Sequence, residues 1–146
     1  MKNRVVLADD HKLFREALAH MLRRHPEIEV VGEAGDGIQA VELVRSLLPD
    51  VAVMDIRMPR LNGIAAIGQM LAAHPSVKVI VVSANSAGIF ATEMLAAGAR
   101  GYVTKSDAEE LPRAISAVMN EREYLSQEVA GSRGSTTNGD IGAERS

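Results

Sequence analysis

The sequence predicts an α/β fold built from βα units around a parallel sheet, and three features carry that prediction. Short β-branched runs alternate with longer segments whose apolar residues recur every three or four positions. Pro26, Pro49 and Pro75 each fall between a helical segment and the strand that follows it. Polar groups stand at or just beyond the ends of the strand runs, where open parallel sheets gather their function.

The strands are RVVLA (4–8), IEVVGEA (28–34), VAVM (51–54), VKVIVVS (77–83) and GYV (101–103). Helical stripes follow as Phe14, Leu18, Met21 and Leu22, then Val41, Val44 and Leu48, then Ile64, Ile67 and Leu71, and last Leu111, Ile115, Val118 and Met119. The fourth helix, 89–97, is blurred by small residues, and Gly98 is placed to stop it. SDAE (106–109) reads as a capping box opening the last helix. Pro112 conflicts with that start, so the helix either begins later or is bent at its beginning. The glycines of GEAGDG (32–37) read as turn chemistry. These assignments put one domain at 1–128 and a Gly-, Ser- and Thr-rich flexible linker or tail at 129–146.

The 146 residues are 47% hydrophobic and 24% charged, the balance of a globular chain, and sixteen basic against nineteen acidic residues leave a net charge of -3. That charge gives no bulk attraction to nucleic acid or to an anionic membrane. Without cysteine there is neither a disulfide framework nor thiolate chemistry. The N-terminus reaches two aspartates after a short apolar run, unlike a signal peptide or a membrane span, so cytoplasm is the expected location.

With strand order 2-1-3-4-5, the first and third strands are neighbours at the switch point, and Asp9, Asp10 and Asp55 converge on one crevice flanked by Ser83 and Lys105. Two like charges about 4 Å apart repel by roughly 4 kcal/mol at an effective dielectric of 20, so something must neutralise the cluster. A hard divalent cation such as Mg2+ does so. Asp55 can then act as a carboxylate nucleophile that takes up a phosphoryl group, with Lys105 stabilising the charge in transfer.

Each residue also has a bland reading. Aspartates cap helices, Ser83 closes a strand, Lys105 is a surface charge and Tyr102 packs a sheet; it is their conjunction at successive strand ends that favours chemistry. His20, His25 and His74 lack metal-ligand spacing, and His11 beside the acidic pair is ambiguous. A nucleotide-binding enzyme would need glycines or a Walker lysine after the first strand, where ADDHK has neither. A flavin carrier would set these carboxylates against its phosphate. An aspartyl phosphohydrolase usually has a second acid two residues past its nucleophile, and here that position is Arg57. A pure interaction module is the remaining alternative.

The motifs LADDH, VMDIRMPRLNG, VSA and GYVTK, in that order, resemble the receiver domains of bacterial two-component response regulators across residues 4–125. DDH, GARGYVTK and EREYLSQEVAG further resemble the subfamily of LuxR and NarL type. The resemblance implies a flavodoxin-like (βα)5 fold with a five-stranded sheet, helices on both faces, and phosphorylation of Asp55 by a sensor histidine kinase. It implies Mg2+ held by Asp10, by Asp9 mainly through water, by one oxygen of Asp55 and by the backbone carbonyl of Arg57. Ser83 would turn toward the phosphoryl group, Tyr102 would rotate inward behind it, and Lys105 would pair with it. Arg57 and Asn85 flank the site, where family members tune the phosphoryl lifetime. The partners implied are the kinase, a homodimer mate and, in a full-length form, a C-terminal helix-turn-helix DNA-binding domain, with no direct nucleic-acid binding by these residues and no membrane. One departure is Ser106 after Lys105, where many receivers carry proline.

Overall fold

A computed structural model describes residues 2–84 and 90–136, with 132–136 followed as backbone only. The elements are β1 (Asn3–Ala8), α1 (Lys12–Arg23), β2 (Ile28–Ala34), α2 (Gly37–Leu47), β3 (Val51–Asp55), α3 (Gly63–Ala73), β4 (Lys78–Ser83), α4 (Ala91–Ala96), β5 (Gly101–Thr104), a 3-10 segment (Lys105–Glu110), α5 (Leu111–Met119), β6 (Tyr124–Leu125) and α6 (Gln127–Thr136). The strands form one parallel sheet in the order β2-β1-β3-β4-β5-β6. The predicted order 2-1-3-4-5 is therefore present, and the expected five-stranded sheet is corrected to six.

Period-two alternation sends each strand's side chains to two separate cores. Val5, Leu7, Val51, Val53, Ile80, Val82 and Val103 pack under α1 and α5. Ala8, Ala52, Met54, Val79, Val81 and Tyr102 face α2, α3 and α4. The central strand β3 is buried at every position, so its last residue, Asp55, is carried into the protein by the strand itself. Each fully buried branched aliphatic side chain in these layers contributes about 1.5–3 kcal/mol.

Turn chemistry aligns the loops around the upper edge. Within GEAGDG, Asp36 caps α2 by accepting the Gln39 N–H at 2.7 Å. Gly37 lies so close to the loop after β3 that a Cβ there would stand 2.7 Å from Leu61 Cβ and from its carbonyl oxygen. Gly98, at φ +118, ends α4 as its position suggests. The expected start of this helix at Ile89 lies outside the described residues.

Three local expectations change. Leu48 belongs to no buried stripe: it caps the end of α2 in the left-handed region at φ 49 and is exposed there. Ile64 is also exposed, and Met70 takes the core position on α3. SDAE forms no capping box, since Ser106 lies inside the 3-10 segment and its hydroxyl bonds to Glu128 instead. The helix start resolves as the later one: α5 begins at Leu111, with Pro112 in its first turn where no intrahelical N–H is required.

The stretch 129–146, expected as a flexible linker or tail, begins inside α6, whose Val129 is fully buried. β6 extends the sheet by pairing Tyr124 with Gly101 and Leu125 with Tyr102. The Tyr124 hydroxyl donates to the buried Glu110 carboxylate at 2.6 Å. Burial, with the hydrogen bond and negative charge of Glu110, pushes the Tyr124 phenol up to about 12 from its ordinary 10.0.

A raised folded value favours the neutral phenol in the native state. Its stability is therefore complete below the unfolded value near 10 and is lost as pH climbs through about 12. Tyr124→Phe is expected to cost about 1–3 kcal/mol at pH 7, because Glu110 loses a donor, and to show a shallower loss of stability over that alkaline window. Urea melts at neutral and alkaline pH test both, and a variant that matches the wild-type stability at every pH would contradict them.

Candidate functional site

The site stands where the carboxyl ends of β1, β3, β4 and β5 meet. Because β1 and β3 are neighbours, Asp9, directly after β1, and Asp55, the last residue of β3, face one another although 46 positions separate them in the chain. Both are buried. Each makes the same local turn: Asp9 Oδ1 accepts the His11 N–H at 2.8 Å, and Asp55 Oδ1 accepts the Arg57 N–H at 3.0 Å. That bond fixes each carboxyl plane and leaves Oδ2 of both residues for Lys105, whose Nζ lies 3.0 Å from Asp9 Oδ2 and 3.1 Å from Asp55 Oδ2.

Lys105 is thus the internal counter-ion of the pair. Burial lowers its pKa, but the hydrogen bonds and charges of Asp9 and Asp55 outweigh that effect and leave the ammonium above its ordinary value. Its Nζ also sits 4.5 Å from the centroid of the Phe14 ring. Phe14 was read from the sequence only as part of the α1 stripe, and its role under the lysine was missed. No local pattern in the sequence signals it.

Asp10 points outward and is 38% exposed, with Oδ1 at 3.4 Å from His11 Nδ1. The same nitrogen lies 3.4 Å from Asp9 Oδ1 and 3.5 Å from Lys105 Nζ, which places the ambiguous His11 at the rim of the cluster. His74 is structural, with Nε2 at 2.9 Å from the Pro49 carbonyl oxygen. Arg15 supports the floor by donating to the Asp9 carbonyl at 2.7 Å and to Glu33 at 3.1 Å.

Ser83 ends β4 and is buried, and Tyr102 on the adjacent β5 is fully buried behind it. Burial raises the Tyr102 phenol above its usual value; the Ser83 hydroxyl works against that rise and the Asp55 charge works with it. Tyr102 therefore faces inward, within electrostatic reach of the crevice. Asn85 lies outside the described residues.

Asp10, His11, Asp55, Arg57, Ser83, Ala84 and Lys105 line a crevice of about 400 Å³. A larger cavity of about 520 Å³ lies beside it, between the start of α3 and α4, but its lining is mostly apolar and no acidic cluster converges there. In the crevice Asp9, Asp10, His11 and Asp55 each offer one donor atom, all within 4.8 Å of one another. Asp9 Oδ2 is buried without a hydrogen bond of good geometry, so the Lys105 ammonium is its charge compensation. Three carboxylates against this one ammonium leave an excess of negative charge on mostly oxygen donors, an acidic cluster suited to a hard cation.

The chain is similar to known proteins over most of its length. Residues 5–116 match the family described as "Response regulator receiver domain". The transcriptional regulatory protein DegU of Brevibacillus brevis is 41% identical over 129 residues, which cover 88% of this chain and 55% of DegU. The DNA-binding transcriptional activator DevR/DosR of Mycobacterium tuberculosis is 36% identical over 128 residues, covering 87% of this chain and 59% of that protein. The chain thus spans between half and three fifths of the length of these relatives. Among solved structures, a LuxR-family two-component response regulator from Aurantimonas sp. SI85-9A1 superposes with a TM-score of 0.85 at 34% identity, covering 90% of this chain and 95% of that one. The alternating βα units, the acidic crevice at the switch point and this likeness lead to one assignment: the chain belongs to the response regulator receiver domain family, in its NarL/LuxR-type branch.

Proposed function

We propose that Asp55 accepts a phosphoryl group from a sensor histidine kinase and that the resulting change of surface governs an attached output domain. One observation carries the proposal: carboxylates from two adjacent strands share a single ammonium, with Lys105 Nζ within 3.1 Å of both Asp9 and Asp55. In the reaction an Asp55 carboxylate oxygen forms a bond to phosphorus as the bond from phosphorus to the donor imidazole nitrogen breaks. Asp55 needs no general base, because its nucleophile is already a carboxylate, and the departing imidazole recovers its proton from solvent.

Asp9, Asp10, Asp55 and the carbonyl of Arg57 would hold Mg2+, which when bound neutralises charge on the transferring phosphoryl oxygens. Lys105 supplies a positive charge to the same crevice. The Ser83 hydroxyl meets the phosphoryl group, and Tyr102 behind it follows Ser83, so the switch propagates toward α4, β5 and α5. The chain acts as a signalling domain that also assists loss of its own phosphoryl group. In a longer form it would control a C-terminal helix-turn-helix domain, through dimerisation or release, in the cytoplasm. The described residues hold no helix long and apolar enough to cross a membrane.

Incubation with Mg2+ and acetyl phosphate tests the reaction. Intact-mass measurement is expected to show a gain of one phosphoryl group in the wild type and none in Asp55→Asn. Steady phosphate release with rapid turnover would indicate a hydrolase instead, and no modification would leave an interaction module.

Charge crowding generates a second expectation. Asp10, which the lysine does not neutralise, stands beside two buried carboxylates, so Asp10→Asn in metal-free buffer should raise the melting temperature by about 2–4 °C. Asp55→Asn should gain less, since it also removes a partner of Lys105. Added Mg2+ should stabilise the wild type by binding the folded state, and stabilise both variants less. Calorimetry in EDTA and in Mg2+ checks this; a lower melting temperature for Asp10→Asn would contradict the crowding.

A further inference from the structure

Ser106 stands where many receivers carry proline, and its hydroxyl makes a bond that proline cannot make. Ser106 Oγ donates to Glu128 Oε1 at 2.8 Å and lies 3.1 Å from Thr104 Oγ1. Next along the chain, Asp107 accepts the Glu128 N–H at 2.9 Å, which is the leading reason its carboxyl lies below the ordinary value. Glu110 accepts the Gln127 N–H at 3.2 and 3.3 Å. These two amides open α6, and the helix leaves them without intrahelical partners. Ser126, just before α6, spends its own hydroxyl on the buried Thr104 N–H at 3.2 Å, and its N–H donates to the Tyr102 carbonyl at 3.0 Å. The start of α6 is therefore capped from outside, by carboxylates of the 3-10 segment, while Val129 anchors it in the core layer that contains Tyr102.

Lys105 lies in the middle of this seam. Its neighbours on both sides are bonded to residues 126–128, and its own ammonium is on Asp9 and Asp55. The main chain of 104–107 cannot follow a displaced ammonium without disturbing the bonds of Ser106 and Asp107. We propose that Ser106, Asp107 and Glu110 are positioning residues that join the seating of Lys105 to the docking of α6. Chemistry at Asp55 then loosens the start of α6, and loosening α6 alters chemistry at Asp55 by the same factor in equilibrium terms. The phosphoryl arm of this coupling rests on the reading of Asp55 as phosphoacceptor; the arm through the ion pair does not.

Hydrogen–deuterium exchange by mass spectrometry on the full chain tests it. Unmodified protein, protein phosphorylated with Mg2+ and acetyl phosphate as verified by mass gain, and Asp55→Asn are compared at residues 127–130. Exchange there should rise about 5-fold or more on phosphorylation and in Asp55→Asn, while β1 and β4 amides remain protected. Ser106→Ala should raise the same exchange and shrink the further rise that Asp55→Asn produces, and Ser106→Thr, which keeps the hydroxyl, should restore both. A phosphorylated chain and an Asp55→Asn variant that both leave α6 exchange unchanged would overturn the coupling, as would Ser106→Ala behaving as wild type. Absence of a mass gain alone would overturn only the phosphoacceptor reading, and the Asp55→Asn comparison would still decide the coupling.

Discussion

Two buried carboxylates from neighbouring strands cannot share a crevice unless a positive charge lies between them, and in this protein that charge is the ammonium of Lys105. Asp9 and Asp55 each turn one oxygen to a backbone N–H two residues on, so their remaining oxygens meet Lys105 at 3.0 and 3.1 Å. The sheet order brings the two strand ends together, and β5 delivers the lysine from two strands beyond β3. The cost of gathering charge here is accepted at the rim, where Asp10 and His11 stay exposed. A fold that sends its interior strands through two apolar layers thus ends each strand on a group that the layers could not hold.

Much of this was legible in the sequence, because parallel strands buried on both faces read as continuous β-branched runs and break off sharply at polar residues. IEVVGEA coincides with β2, and VAVM falls one residue short of β3 because Asp55 continues the strand. Asp9, Asp10, Asp55, Ser83 and Lys105 could be brought together from topology alone, since each stands at or just past a strand's carboxyl end. Phe14 could not, because an aromatic on a helical stripe looks the same whether it packs against aliphatic side chains or under an ammonium.

The C-terminal part was not legible for a different reason. β6 has two residues, too few for any period, and α6 is assembled from a Gly- and Ser-rich stretch in which Val129 is the one deeply buried anchor among the described side chains. Its stability comes from side chains about twenty positions earlier, namely Ser106, Asp107 and Glu110, and local propensity cannot report those. SDAE misled for the same cause: residue types suited to a capping box are used instead to hold a later helix. Where tertiary contacts override local preference, the sequence pattern points to the wrong partner.

A double-mutant cycle between Asp55→Asn and Lys105→Met, read as unfolding free energy in metal-free buffer, measures the sharing of the ammonium most directly. A favourable coupling of about 1–3 kcal/mol is expected, shrinking as Mg2+ is added and competes for the same carboxylates. Additive effects within about 0.3 kcal/mol, with and without Mg2+, would show that the lysine does not hold the acidic crevice together.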